Sequence, residues 1–230
     1  MKKMIVLFSI FILIVQFSYS QEIKPNILPR ILKDDPLNQY NIDNITNFDI
    51  VKALEILDVR IFKFHFGQFD KVYNLVFTIE ESVDGKIVKI DTIYKKTNLY
   101  TYIARGYIEY YRDYLDQILI FTKAEENSST MFIRLNSTSL QKHIKYVKTD
   151  PYQFFTWRRF EDIPWRLEKK IPLLVFASSW KDKKIEGLQL FCGVEILSEN
   201  DPDTVELLSK SPHYFLLSYY VVERNKYNIQ

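Results

Sequence analysis

Cysteine, glycine and histidine are scarce in this chain, and each scarcity removes a class of function. The one cysteine in 230 residues, Cys192, cannot form an intramolecular disulfide, so the fold must rest on its core. A chain of this length can bury enough surface to manage that. Cys192 lies in the apolar run LQLFCGVEIL and reads as a buried, unreactive thiol. The glycines Gly67, Gly85, Gly106, Gly187 and Gly193 are too scattered to make a phosphate-cradling loop, which weighs against the nucleotide-binding folds. His65, His143 and His213 lie far apart, with no cysteine cluster and no H-E-x-x-H, so neither a metal site nor a cofactor is expected. An excess of charge is missing as well. The 31 basic residues, Lys2 and Lys3 among them, face 29 acidic ones. That balance excludes the basic footprint of a nucleic-acid binder, and no polybasic stretch offers a hold on an anionic membrane.

What is present begins with an address. Lys2 and Lys3 precede an apolar stretch, Met4 to Phe8 and Ile10 to Val15, and small Ser18 and Ser20 occupy the −3 and −1 positions of a cut after Ser20. Residues 1–20 therefore read as a secretory signal peptide. The stretch falls short of the roughly 20 apolar residues a membrane span needs, so no span is expected after signal removal. An uncut signal anchor is the alternative reading.

Residues 21–46 hold Pro25, Pro29 and Pro36 and read as an extended lead-in. Residues 47–230 read as a single, mainly β unit: an antiparallel β-sandwich-like domain with one or two short helices. In TNFDIVKALEILDV, Thr46 and Asn47 are possible caps, and Ile50, Leu54 and Leu57 recur at helical spacing. In ENDPDTVELLSKSP, Asp201 can cap, Pro202 can open a helix, and Asp203 and Glu206 suit its positive end.

Asp84-Gly85 is a strong hairpin signal. A turn there pairs Val83 with Lys86, Ile79 with Ile90, Phe77 with Thr92 and Leu75 with Tyr94. It also sets Glu80 opposite Lys89, an opposite-charge pair of about 0.2–1 kcal/mol. A second hairpin joins DQILIFTK to TMFIRLN through the loop AEENSS. Further strands are expected in IPLLVFASSW, LQLFCGVEIL and HYFLLSYYVVE, the last apolar on both faces. The tyrosine-rich stretch NLYTYIARGYIEYYRDYLDQ fits neither period cleanly and reads as irregular chain leading to a strand at Gln117.

The segments IFKF, YLDQILIFTK, IPLLVFASSW, LQLFCGV and SPHYFLLSY together resemble a small family of uncharacterised exported proteins from Bacteroides, over roughly residues 50–222. The resemblance implies an all-β protein of the periplasm or cell exterior of a Gram-negative bacterium, with no assigned activity. It also implies O-glycosylation at Asp-Thr before an aliphatic residue. Two matches exist, Asp91-Thr92-Ile93 and Asp203-Thr204-Val205. The hairpin register turns Thr92 toward the apolar face, so Thr204, in an exposed helical turn, is the expected modified residue.

Signals for catalysis are weak. Glu199, Asp201, Asp203 and Glu206 are loosely calcium-like, but capping already accounts for two of them. Ser178 and Ser179 lack a nucleophile elbow. Glu80, Glu81, Glu109, Asp113, Asp116 and Glu195 are all available for glycoside hydrolysis, and nothing selects a pair. No catalytic residue is assigned. The richest polar-aromatic segment is YQFFTWRRFEDIPWRLEKK. Its Trp157, Arg158, Arg159, Trp165 and Arg166 make a candidate ligand-binding set, because aromatic faces stack on sugars or protein partners and arginine bonds hydroxyls and carboxylates. In the competing reading Phe154, Phe155 and Trp157 cover the core. The leading expectation is a non-enzymatic binding module for a glycan or protein ligand. A secreted hydrolase of glycans or peptides and a structural envelope subunit are the alternatives.

Overall fold

The computed structural model describes residues 46–103, 110–136 and 138–224. The expected signal and nearly all of the lead-in, residues 1–45, lie outside them. The chain divides into two units, Met1–Phe48 and Asp49–Gln230, and every described strand belongs to the second.

In chain order the elements are α1 (Asn47–Ile56), β1 (Val59–His65), β2 (Tyr73–Val83), β3 (Lys86–Thr97), β4 (Leu99–Ile103), β5 (Tyr110–Tyr114), β6 (Gln117–Ala124), β7 (Ser128–Leu135), β8 (Thr138–Lys145), β9 (Phe155–Phe160), β10 (Ile171–Ser178), β11 (Trp180–Lys181), β12 (Gln189–Leu190), β13 (Ile196–Leu197), α2 (Pro202–Lys210) and β14 (His213–Glu223). A four-stranded antiparallel sheet runs β1-β6-β7-β8. A six-stranded sheet runs β13-β9-β10-β14-β2-β3, antiparallel except for the parallel β13–β9 contact. The two face each other across one core. Phe64, Ile118, Ile120, Met131 and Ile133 come from the smaller sheet; Phe77, Trp157, Phe176, Leu217 and Tyr219 come from the larger. This is the mainly β, sandwich-like architecture that the pattern of short apolar runs calls for.

The central strands carry the clearest sequence logic. Every residue of β10 is buried, because one face meets the inter-sheet core and the other a second cluster of Phe160, Val175, Ala177, Cys192, Leu197 and Leu207. That second cluster lies under α2 and the 191–197 segment, which explains the buried Cys192. The helix starts as its sequence dictates: the Asp201 carboxylate accepts from the Asp203 N–H at 2.8 Å, and Pro202 fills the first turn. By contrast, no residue of α1 is fully buried, and Leu54 alone is half-buried.

Several expectations need correction. Val83 does face Lys86, but two irregularities in the β2–β3 ladder then shift the register, so that Ile79 lies opposite Asp91, Glu80 opposite Ile90 and Phe77 opposite Tyr94. A bulge adds a residue to one strand and re-aims everything beyond it. Glu80 pairs with Lys170 at 2.5 Å, and Lys89 pairs with Asp91 at 3.0 Å. Ile90, expected in an apolar face, is exposed along the edge strand β3, as are Ile87 and Val88. The β6–β7 loop is shorter than AEENSS, because Ser128 and Ser129 already belong to β7. LQLFCGVEIL supplies two short strands, not one. The tyrosine-rich stretch forms a ribbon, β4 with β5, in which Tyr100, Tyr102 and Tyr111 stack in series at 5.6 and 5.7 Å.

Candidate functional site

The sandwich leaves a side open where β1, an edge of the smaller sheet, stands opposite β9. There β13 covers only Arg159 and Phe160. A groove of about 460 Å³ occupies this side, lined by α1 residues Val51, Lys52, Leu54 and Glu55, by β1 from Val59 to Phe62, by Trp157, Arg158 and Arg159 of β9, and by Glu195 and Ile196.

The alternation in FTWRRF positions the side chains. Phe155 and Trp157 point into the core. Trp157 is 3% exposed, stacks on Phe176 at 4.8 Å, and donates its indole N–H to Ser129 Oγ at 3.0 Å. It is thus a structural pillar behind the groove, and its ring face is not available to a ligand. Arg158 leaves the opposite face of β9. Its guanidinium lies 4.9 Å from the Phe191 ring centre and donates through Nη1 to the Trp157 carbonyl at 3.2 Å. From the other sheet, Arg60 Nη1 donates to the same carbonyl oxygen at 3.1 Å. Arg159 is held differently, pairing with Asp162 at 2.8 Å and lying over the Phe64 ring.

Arg60 and Arg158 are therefore like charges converging on one oxygen. Among the described residues neither has a carboxylate at ion-pair distance. Arg158 Nε is buried without a hydrogen-bond partner. Burial first, and the neighbouring Arg60 charge second, hold the Arg158 pKa below the usual arginine value; Cys192 and then Glu195 act in the other direction. Such a pair favours an incoming oxyanion, which can bridge two forks by charge-assisted hydrogen bonds.

The rest of the expected set lies elsewhere. Trp165 stacks on Phe69 at 5.0 Å and donates to the Gln68 carbonyl, half-buried against the core. Arg166 is exposed and lines a separate depression with Glu161, Lys169 and Glu199. Arg60 was not selected from sequence, since 97 residues separate it from Trp157.

Four of the acidic candidates are engaged by a neighbouring side chain, whereas Glu195 lines the groove without an ion pair among the described residues. Glu80 pairs with Lys170, Glu81 meets His213 Nε2 at 3.0 Å, Glu199 pairs with Lys169, and Glu206 with Lys210. Glu109 lies outside the described residues. Ser178 Oγ shares a hydrogen bond with Ser211 Oγ and accepts from the His213 backbone N–H, so it serves the strand end. Among the described residues, no group of three or more His, Cys, Asp or Glu is placed to hold a metal ion. The exposure argument for Thr204 is overturned: its side chain is buried at 1% exposure beneath α2, because the helix turns that residue inward, whereas Thr92 is exposed on β3.

Residues 31–223 match a family model described as a domain of unknown function, DUF5041. No curated protein and no solved structure matches the chain.

Proposed function

The chain belongs to the DUF5041 family, and from that premise we propose that it is an exported, non-enzymatic binding module of the bacterial envelope whose ligand enters the β1–β9 groove acid group first. The observation that carries this reading is the Arg60–Arg158 pair. Two guanidinia sharing one carbonyl oxygen repel each other, and one of them is half-buried. A protein that used them only for stability would be expected to place a carboxylate between them, as it does for Arg159 with Asp162. A ligand that brings the acid gains two charge-assisted forks and relieves that repulsion. The preference for binding over hydrolysis rests on the engaged state of Glu80 with Lys170 and of Glu81 with His213, and on the pairing of Glu55, which lines the groove together with Glu195, to Lys52.

Nuclear magnetic resonance titration tests the site. Short oligogalacturonides and acidic peptides should shift amide signals of the groove, and their neutral counterparts should not. Shifts confined to other surfaces would sink the reading. Export is tested separately by intact-mass analysis of the secreted protein, which should begin at Gln21. If the exported chain is O-glycosylated at its Asp-Thr motifs, glycopeptide mapping should place the sugar on exposed Thr92.

A further inference from the structure

We propose that the acid group belongs to an extended peptide that adds as a strand to the open edge of β9. This rests on the groove being the ligand site. The backbone sets the geometry. The Ser179 N–H donates to the Phe154 carbonyl at 2.8 Å, so Phe154 faces β10. N–H and C=O of one residue point the same way in an antiparallel strand and alternate along it. Thr156 and Arg158 therefore also face β10, while Phe155, Trp157 and Arg159 turn their backbone groups outward. The outward Glu161 N–H, which donates to the Leu197 carbonyl, fits the same alternation.

Beyond Arg159, β13 takes up that outward edge. Phe155 to Arg158 have no strand beside them on that edge among the described residues. What meets the edge there is the arginine pair, bonded to the outward carbonyl of Trp157. Charged side chains laid on an open edge block indiscriminate strand pairing. A strand that carries a carboxylate can displace this block: its acid draws Arg60 and Arg158 away, and the freed Trp157 carbonyl then accepts a backbone N–H. The added strand lies in line with β13, and its length is limited to about four residues at roughly 3.3 Å each. Alternate side chains would meet Val51, Leu54, Ile61 and Ile196 in the groove wall, the usual source of selectivity in strand addition. An acidic sugar satisfies the arginines but leaves the edge unpaired, so the peptide is the better match.

The probe is an acetylated tetrapeptide of alternating threonine and valine ending in a free carboxylate, titrated into the full-length chain by calorimetry and by amide shifts. Three companions are run: its C-terminal amide, a version with alternate backbone nitrogens methylated, and an oligogalacturonide. The carboxylate form should bind in the groove. Amidation and N-methylation should each weaken binding by about tenfold or more, because they remove the charge-assisted and the edge hydrogen bonds in turn. Arg60→Gln, at an exposed position that threatens folding little, should weaken the carboxylate form by about tenfold and leave the amide unchanged; Arg158→Gln supplies a second variant. If the N-methylated peptide binds as well as its parent, strand addition is overturned while the groove stands as an acid site. The same holds if the oligogalacturonide shifts the groove and no peptide does. If no probe shifts the groove, the proposed function falls as well.

Discussion

The two open sides of the sandwich solve the same electrostatic problem in opposite ways. Where β3 and β8 meet, Asp91 on one sheet holds Lys142 on the other at 2.8 Å and Lys89 at 3.0 Å. Close by, Glu81 meets His213, and both carboxylates line one cavity of about 280 Å³. Each acid there has a base. On the β1–β9 side, Arg60 and Arg158 converge without a carboxylate at ion-pair distance among the described residues. Charge that is answered internally serves the fold. Charge left unanswered at a strand edge costs the fold something, which is the cost that the proposed acidic ligand would relieve.

Three substitutions sharpen that contrast. The largest effect belongs to Trp157→Ala, which removes the ring behind the groove, its stacking on Phe176 and its bond to Ser129. Chemical denaturation should show a loss of about 3–5 kcal/mol. A loss below about 1 kcal/mol would mean that the ring is not the pillar described.

Lys142→Ala should cost less, about 0.5–1 kcal/mol, because the pair it breaks is partly exposed. Lys142 first and Lys89 second hold the Asp91 carboxyl below its ordinary value of 3.8. A carboxyl lowered in the folded state stabilises above its unfolded value and loses that contribution as pH falls through the folded one. The difference between wild type and variant should therefore be full at neutral pH, shrink below about pH 4, and weaken in high salt. A difference independent of both pH and salt would contradict the assignment.

The smallest effect should come from Arg60→Gln, within about 0.5 kcal/mol of wild type and of either sign, since it relieves repulsion as it loses one hydrogen bond. A destabilisation as large as that of Lys142→Ala would erase the contrast between the two sides.

Sequence made much of this fold legible, where one local rule acted alone. The Asp201 cap, Pro202 and the buried apolar run of β10 needed no tertiary information. The Asp84-Gly85 turn was legible too, but the ladder beyond it was not. Its register shifts depend on β2 being pinned by β14 along its other edge, from Val83–His213 to Tyr73–Glu223. The β4–β5 ribbon was hidden because its tyrosines fit two periods at once. The site was legible by half. Arg158 and Arg159 stood out beside Trp157, but the partner that gives Arg158 its meaning comes from the other sheet. An edge left open by the brevity of β13 has no signature in a linear pattern.

The position of β14 governs when this molecule can exist. This last described strand sits between β10 and β2, and it joins residues as far apart in sequence as Tyr73 and Glu223. Until it arrives, β2–β3 and β9–β10 remain separate fragments with their apolar edges bare. Closing so long a loop is slow, and ln k for folding falls as contacts become less local. A chain without His213–Glu223 cannot complete its larger sheet, so this eleven-residue strand is the keystone that turns two separate ladders into one.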